Sequence, residues 1–233
     1  MKIQHIAGLG AVSILASTAA ADIVSAQFVQ YQIATEDFGG ASVTVNVEDM
    51  YLVSTDTSDV VLNVYNFTTG IGAESTPFFQ SATGAGWLPN NLGSIFDTEA
   101  LRRADSFVSI GGMNFNAPEQ TVGAGEGTGL DPNFGGNSAA APNALAGWFN
   151  SSPPNLNGQV GLPSALGGST LGVLVGRFSS TEAFTMLGST FSVTWNQGIG
   201  TAPEQASFTL VPGAPTALLI LGAAGLNPRR RHV

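Results

Sequence analysis

The chain has 233 residues, of which 7 are Lys or Arg, 16 are Asp or Glu and none is Cys. Both histidines are terminal, so residues 22–211 set all sixteen acids against Arg102, Arg103 and Arg177, a net charge of −13 with no Lys, His or Cys. This excludes a Ser-His-Asp triad, a Cys nucleophile, a lysine Schiff base, a P-loop lysine and histidine-ligated zinc from that stretch, and it weighs against nucleic acid as a partner.

Lys2 and His5 open the chain, an apolar run from Ile6 to Ala16 follows, and Ala19-Ala20-Ala21 precede Asp22. This is the three-part layout of a secretory signal, with Ala19 and Ala21 as the small residues of the cleavage pattern. The run is shorter than the roughly 20 residues that a spanning helix needs. Signal peptidase is the expected partner, and residues 22–210 are the expected folded domain.

Ile23 to Ile33 is the first expected strand. Residues 42–53 alternate, with Val43, Val45, Val47, Tyr51 and Val53 on one parity and Ser42, Thr44, Asn46 and Glu48 on the other. Such a period of two predicts a half-buried strand. Asp59 to Thr68 predicts another, and Asp56-Thr57-Ser58 between them predicts a hairpin turn. Asp97 to Ala104 predicts a short helix with Asp97 as its N-cap. Further strands are expected at Asp105–Ile110, Leu171–Phe178, Phe184–Trp195 and Ala206–Val211. Residues 111–170 contain 13 Gly, 6 Pro and 8 Asn, which predicts long ordered loops without regular elements, pinned by Met113, Phe115, Phe134, Trp148 and Phe149. Many short strands with scarcely a helix predict an all-β antiparallel sandwich, jelly-roll-like, with long Gly/Asn/Pro-rich loops.

Acids are the abundant titratable groups. A glycoside hydrolase needs two carboxylates about 5–10 Å apart across a sugar, but adjacent residues on a strand, such as Glu48 and Asp49, point to opposite faces. Calcium takes oxygen ligands from carboxylates, amides and carbonyls. Asp56 with Asp59, and Asp131 with Asn133, are its candidate ligands, and a solvated acidic face is the competing reading. Trp87 and Trp148 lie beside Gly or Pro, where an indole either stacks on a sugar ring or anchors its loop. Trp195 shares the apolar parity of a strand and is expected in the core.

Val211-Pro212 and Pro215 lead into an apolar run from Thr216 to Leu226, followed by Pro228 and Arg229-Arg230-Arg231. The run is short for a bilayer, and the arginines would hold the end on the cytoplasmic side. Residues 211–233 resemble the PEP-CTERM sorting signal of exported bacterial proteins, with Gly213-Ala214 between the prolines. The resemblance implies recognition by an exosortase-type membrane enzyme, transient membrane contact through the tail, and delivery to the cell surface or extracellular matrix, where such proteins often accompany polysaccharide. The expectation is therefore an exported structural or adhesive protein without catalytic activity. The alternative is an extracellular carbohydrate-binding module or an Asp/Glu glycoside hydrolase.

Overall fold

The computed structural model describes residues 22–36, 40–80, 86–88, 99–110, 127–151 and 157–213. Asp97, Met113, Phe115, Pro215, Ala19, Ala21 and Arg229–Arg231 lie outside them.

Among the described residues, ten strands form two five-stranded sheets. The elements are β1 (Ile23–Glu36), β2 (Ser42–Ser54), β3 (Val60–Thr68), α1 (Glu99–Ala104), β4 (Phe107–Val108), β5 (Thr128–Leu130), β6 (Ala146–Asn150), β7 (Leu171–Ser180), β8 (Thr190–Asn196), β9 (Glu204–Thr209) and β10 (Val211–Pro212). One sheet has the order β10-β1-β2-β7-β4 and the other β5-β6-β3-β8-β9. Pairing is antiparallel except between β10 and β1. The architecture is the all-β sandwich that the alternating patterns predict.

Four local expectations change. The run 42–53 is a strand, but not half-buried: Met50 and Leu52 join Phe28, Val173, Val175 and Phe178 in the core between the sheets. On its other face Val45 and Val47 pack with Ile33 and Ala104, and Tyr51 and Val53 with Leu174, Phe107 and Leu166. Second, β2 and β3 do not form a hairpin. They belong to different sheets, and residues 55–59 carry the chain across the sandwich. A turn signal specifies a reversal of direction, not the sheet that the next strand joins. Third, Phe184–Trp195 is strand only from Thr190 onward; Gly188 has φ of +80°, which breaks the pleat before it. Fourth, residues 111–170 contain β5 and β6, although they were expected to hold no regular elements. Gly147 explains how a Gly-rich segment serves as a strand here: a Cβ there would lie 2.6 Å from Asp131 Oδ2 and 3.0 Å from the Val64 carbonyl. Only glycine allows that close approach.

The core is aromatic. Phe67 stacks on Phe178 with ring centroids 5.7 Å apart and meets Trp148 edge-on at 5.4 Å. Phe191, Val193 and Trp195 of β8 point into the same core, as their parity predicts.

Candidate functional site

A buried polar residue set lies on the far face of the β1–β2–β7 sheet. Asp49 and Arg177 are direct cross-strand partners, as are Arg177 and Phe107. Pleating therefore puts the three side chains in one row. Arg177 Nε donates to Asp49 Oδ1 at 2.7 Å and Nη2 to Oδ2 at 3.2 Å, with both side chains fully buried. Tyr31 Oη donates to Asp49 Oδ2 at 2.9 Å. Arg177 Nη1 reaches the Arg103 carbonyl at 3.0 Å, and its guanidinium lies 5.1 Å from the centroid of the Phe107 ring. Burial pulls the Arg177 pKa down, but the Asp49 carboxylate together with Tyr31 and Tyr51 outweighs it and holds the guanidinium above its ordinary value. Burial, then Asp49, pushes the Tyr31 phenol well up. The arrangement fastens the last turn of α1 to the sheet, with a cation at the helix carbonyl end, where it is electrostatically favoured. Its groups are committed to one another.

Glu48, the next residue along, points to the opposite face, as alternation requires. It is 2% exposed and accepts from Gln30 Nε2 at 2.5 Å and the Met186 amide at 2.7 Å. Burial raises its pKa; the Met186, Gln30 and Thr185 donors oppose that but do not cancel it. A carboxyl with a raised folded-state pKa favours folding in its protonated form. That contribution is full below the unfolded pKa and is lost as pH rises through the folded one. Glu48→Gln should therefore remove the stabilisation that the wild-type carboxyl is expected to add as pH falls from about 7 toward 5. Thermal scans across that window check it, and an unchanged slope would assign the pH dependence to other groups.

A group of acids gathers where the chain crosses between sheets. Ser54 Oγ donates to Asp59 Oδ2 at 2.6 Å, and the Ser58 amide donates to Asp56 Oδ1 at 2.7 Å. Asp59 is buried. Burial raises its pKa first, and the charges of Asp56 and Asp22 add to this. Glu204 at the start of β9 is raised by desolvation and by Asp22 and Asp59. In contrast, the hydrogen bonds from Ser58 lower Asp56.

The calcium expectation changes at the second loop. Asp131 caps a 3-10 turn, its Oδ1 accepting from the Phe134 amide at 3.0 Å. Asn133 is exposed beside it, and Asn137 Oδ1 accepts from the Leu88 amide at 2.8 Å. Asp131 thus serves its own loop's backbone, and Asn137 ties the loop to the Leu88 segment. Among the described residues no group of three or more acids has the geometry to hold a metal ion.

The two tryptophans are also placed differently from the sugar-stacking expectation. Trp87 and Trp148 are 0% and 1% exposed. Trp87 Nε1 donates to the Ala139 carbonyl at 2.8 Å and its ring meets Phe78, Phe134 and Phe178. Trp148 Nε1 donates to the Ser109 carbonyl at 3.2 Å. Each anchors a Gly-rich segment to the core, so neither face can stack on a ligand. A Gly neighbour marks a tight corner, and a corner can turn an indole inward as readily as outward.

The geometry defines a class: a two-sheet antiparallel β-sandwich with a buried ion pair on its covered sheet and an acidic crossing at one end. Among known proteins no family model, curated sequence or solved structure matches the chain.

Proposed function

We propose that the protein is exported from a bacterial cell and sorted to the surface or extracellular matrix, where it has a structural or adhesive role without catalysis. One observation supports this most directly. The strands of the described residues all lie within 23–212, and the two address-like segments precede and follow that stretch in sequence. Val211 and Pro212 belong to the body: they pair with Gln27 and Phe28, and the Gly213 amide donates to the Phe28 carbonyl at 2.8 Å. The apolar run and the arginines of this reading follow Gly213 in sequence.

The expected result is that exported material begins at Asp22, and that replacing Arg229, Arg230 and Arg231 by Gln leaves unprocessed protein in the membrane fraction. N-terminal sequencing and fractionation check both. Exported protein that keeps Met1, or unaltered sorting of the triple variant, would overturn the reading.

Calcium belongs to this proposal as a counter-ion to the acidic end. Asp22, Asp56, Asp59 and Glu204 interact there, and screening relieves repulsion. Calcium chloride and sodium chloride at equal ionic strength should raise the unfolding midpoint together and without saturation. A saturable rise in calcium alone, removed by Asp59→Asn, would show a caged ion instead.

A further inference from the structure

The first residue of β1 meets the acidic crossing. Ile23 pairs with Ser54, the last residue of β2, and Ser54 Oγ holds Asp59 Oδ2 at 2.6 Å. Asp59 is fully buried. Its Oδ1 lies there without a well-formed hydrogen bond, and the neighbouring Gln197 amide only partly offsets the burial. At the same corner the Asp22 backbone nitrogen donates to Thr55 Oγ1 at 3.2 Å, and the Thr55 amide donates to the Asp22 carbonyl at 3.1 Å. The Asp22 carboxyl comes within hydrogen-bonding reach of Glu204 and also acts on Asp59. The charged groups that act on Asp59 and Glu204 are thus acids, while Arg177 is bound to Asp49.

We infer that cleavage before Asp22 supplies the missing cation, as an α-ammonium group that pairs with the acids of the crossing and fastens the start of β1 to it. The inference rests on the export reading above and gives its cleavage step a second consequence. Hydrolysis of the Ala21–Asp22 bond consumes one water and leaves a carboxylate on Ala21 and an ammonium on Asp22. The nitrogen that gains the charge is the one already held at Thr55, so the strand need not move. In the uncleaved chain it is a neutral amide with one N–H. As an ammonium it offers three donors and a charge, and charge-assisted bonds are roughly twice as strong as neutral ones. The titratable groups around it are Asp22 itself, Asp56 and Asp59 from the crossing and Glu204 from β9. A metal ion is the poorer match, since among the described residues no three acids converge to hold one. An ammonium paired in the fold stabilises it fully below the ordinary α-amino pKa of about 8, and the effect is lost as pH rises through the folded-state value.

The test compares three chains that all end at Val233 and differ only at the start. One begins at Asp22 with a free amine, one is the same chain acetylated on that amine, and one begins at Ala20. Acetylation keeps the N–H that faces Thr55 and removes the charge, and no lysine from residue 22 onward competes for the reagent. At about pH 6.5 and low salt the free-amine chain should unfold about 2–4 °C above the other two. Its lead over the acetylated chain should vanish by about pH 10, where the amine is neutral. Glu204→Gln, at an exposed position, and Asp59→Asn should each reduce that lead by roughly half. If Asp59→Asn does not fold, Glu204→Gln decides. Equal midpoints for the free and acetylated chains, a lead that persists at about pH 10, or a lead that the folded variants leave untouched would overturn the inference. So would a chain from Ala20 as stable as the chain from Asp22, since the charge would then act without its position. These midpoints judge the inference by itself. Exported protein that begins at another residue refutes the cleavage point, whatever the midpoints show.

Discussion

Asp49→Ala is expected to destabilise the fold by about 3–5 kcal/mol, because it strands the Arg177 guanidinium without a counter-charge in the dry interior. Folded domains hold only about 5–15 kcal/mol in reserve, so the variant should be partly unfolded at growth temperature. The effect is large for a geometric reason. Arg177 has no solvent-exposed surface, and its donors face Asp49 and the Arg103 carbonyl. Removing the carboxylate also takes from Tyr31 Oη the acceptor it uses in the fold. Asp49→Leu combined with Arg177→Met should recover part of the loss, since an apolar pair of similar volume avoids burying a lone charge. Recovery should be incomplete, because Tyr31 and the Arg103 carbonyl still lose their partners. Denaturant unfolding of the single and double variants measures both. A cost below about 1 kcal/mol for Asp49→Ala would mean that Arg177 finds water or another acceptor.

Trp148→Ala should cost a further class of energy, about 3–5 kcal/mol, through the cavity it leaves. The ring lies between Phe67 and Phe134 at centroid distances of 5.4 and 6.4 Å, and its Nε1 satisfies the Ser109 carbonyl. Loss of the indole therefore opens the core and leaves a buried acceptor without this donor. A surface tryptophan would instead give a stability change within about 0.5 kcal/mol. That contrast separates the anchoring role from the stacking role.

The period-two patterns at 42–53 and in β8 made the sandwich legible, since side-chain parity is a local property. Parity cannot say what lies on each face. Val45 and Val47 read as the buried side of a half-wet strand, yet α1 and the turn at Leu166 cover that face and the second sheet covers the other. The Asp49–Arg177 pair spans 128 residues and depends on β2 and β7 being neighbours, which no spacing in the chain announces. β5 and β6 were hidden because glycine lowers strand propensity, while their pairing is set by the close approach at Gly147. The outward face of β8 and β9 is legible in the same way. Thr190, Ser192 and Thr194 alternate with Phe191, Val193 and Trp195, as Gln205, Ser207 and Thr209 do with Ala206 and Phe208.

The parallel pairing of β10 with β1 also fixes how the molecule would bear a load. A tether attached beyond Gly213 and drawn along the strand direction puts the β10–β1 bonds in shear, so they resist together instead of parting one by one. Behind them Leu210 is fully buried, its amide bonded to the Ser189 carbonyl at 2.8 Å and its carbonyl to the Gly188 amide at 3.2 Å. Tension that slipped β10 would next have to draw this side chain from between the sheets before β9 could peel from β8. Traction would thus be shared between both layers of the sandwich at the start, and the body would yield in steps from its C-terminal corner.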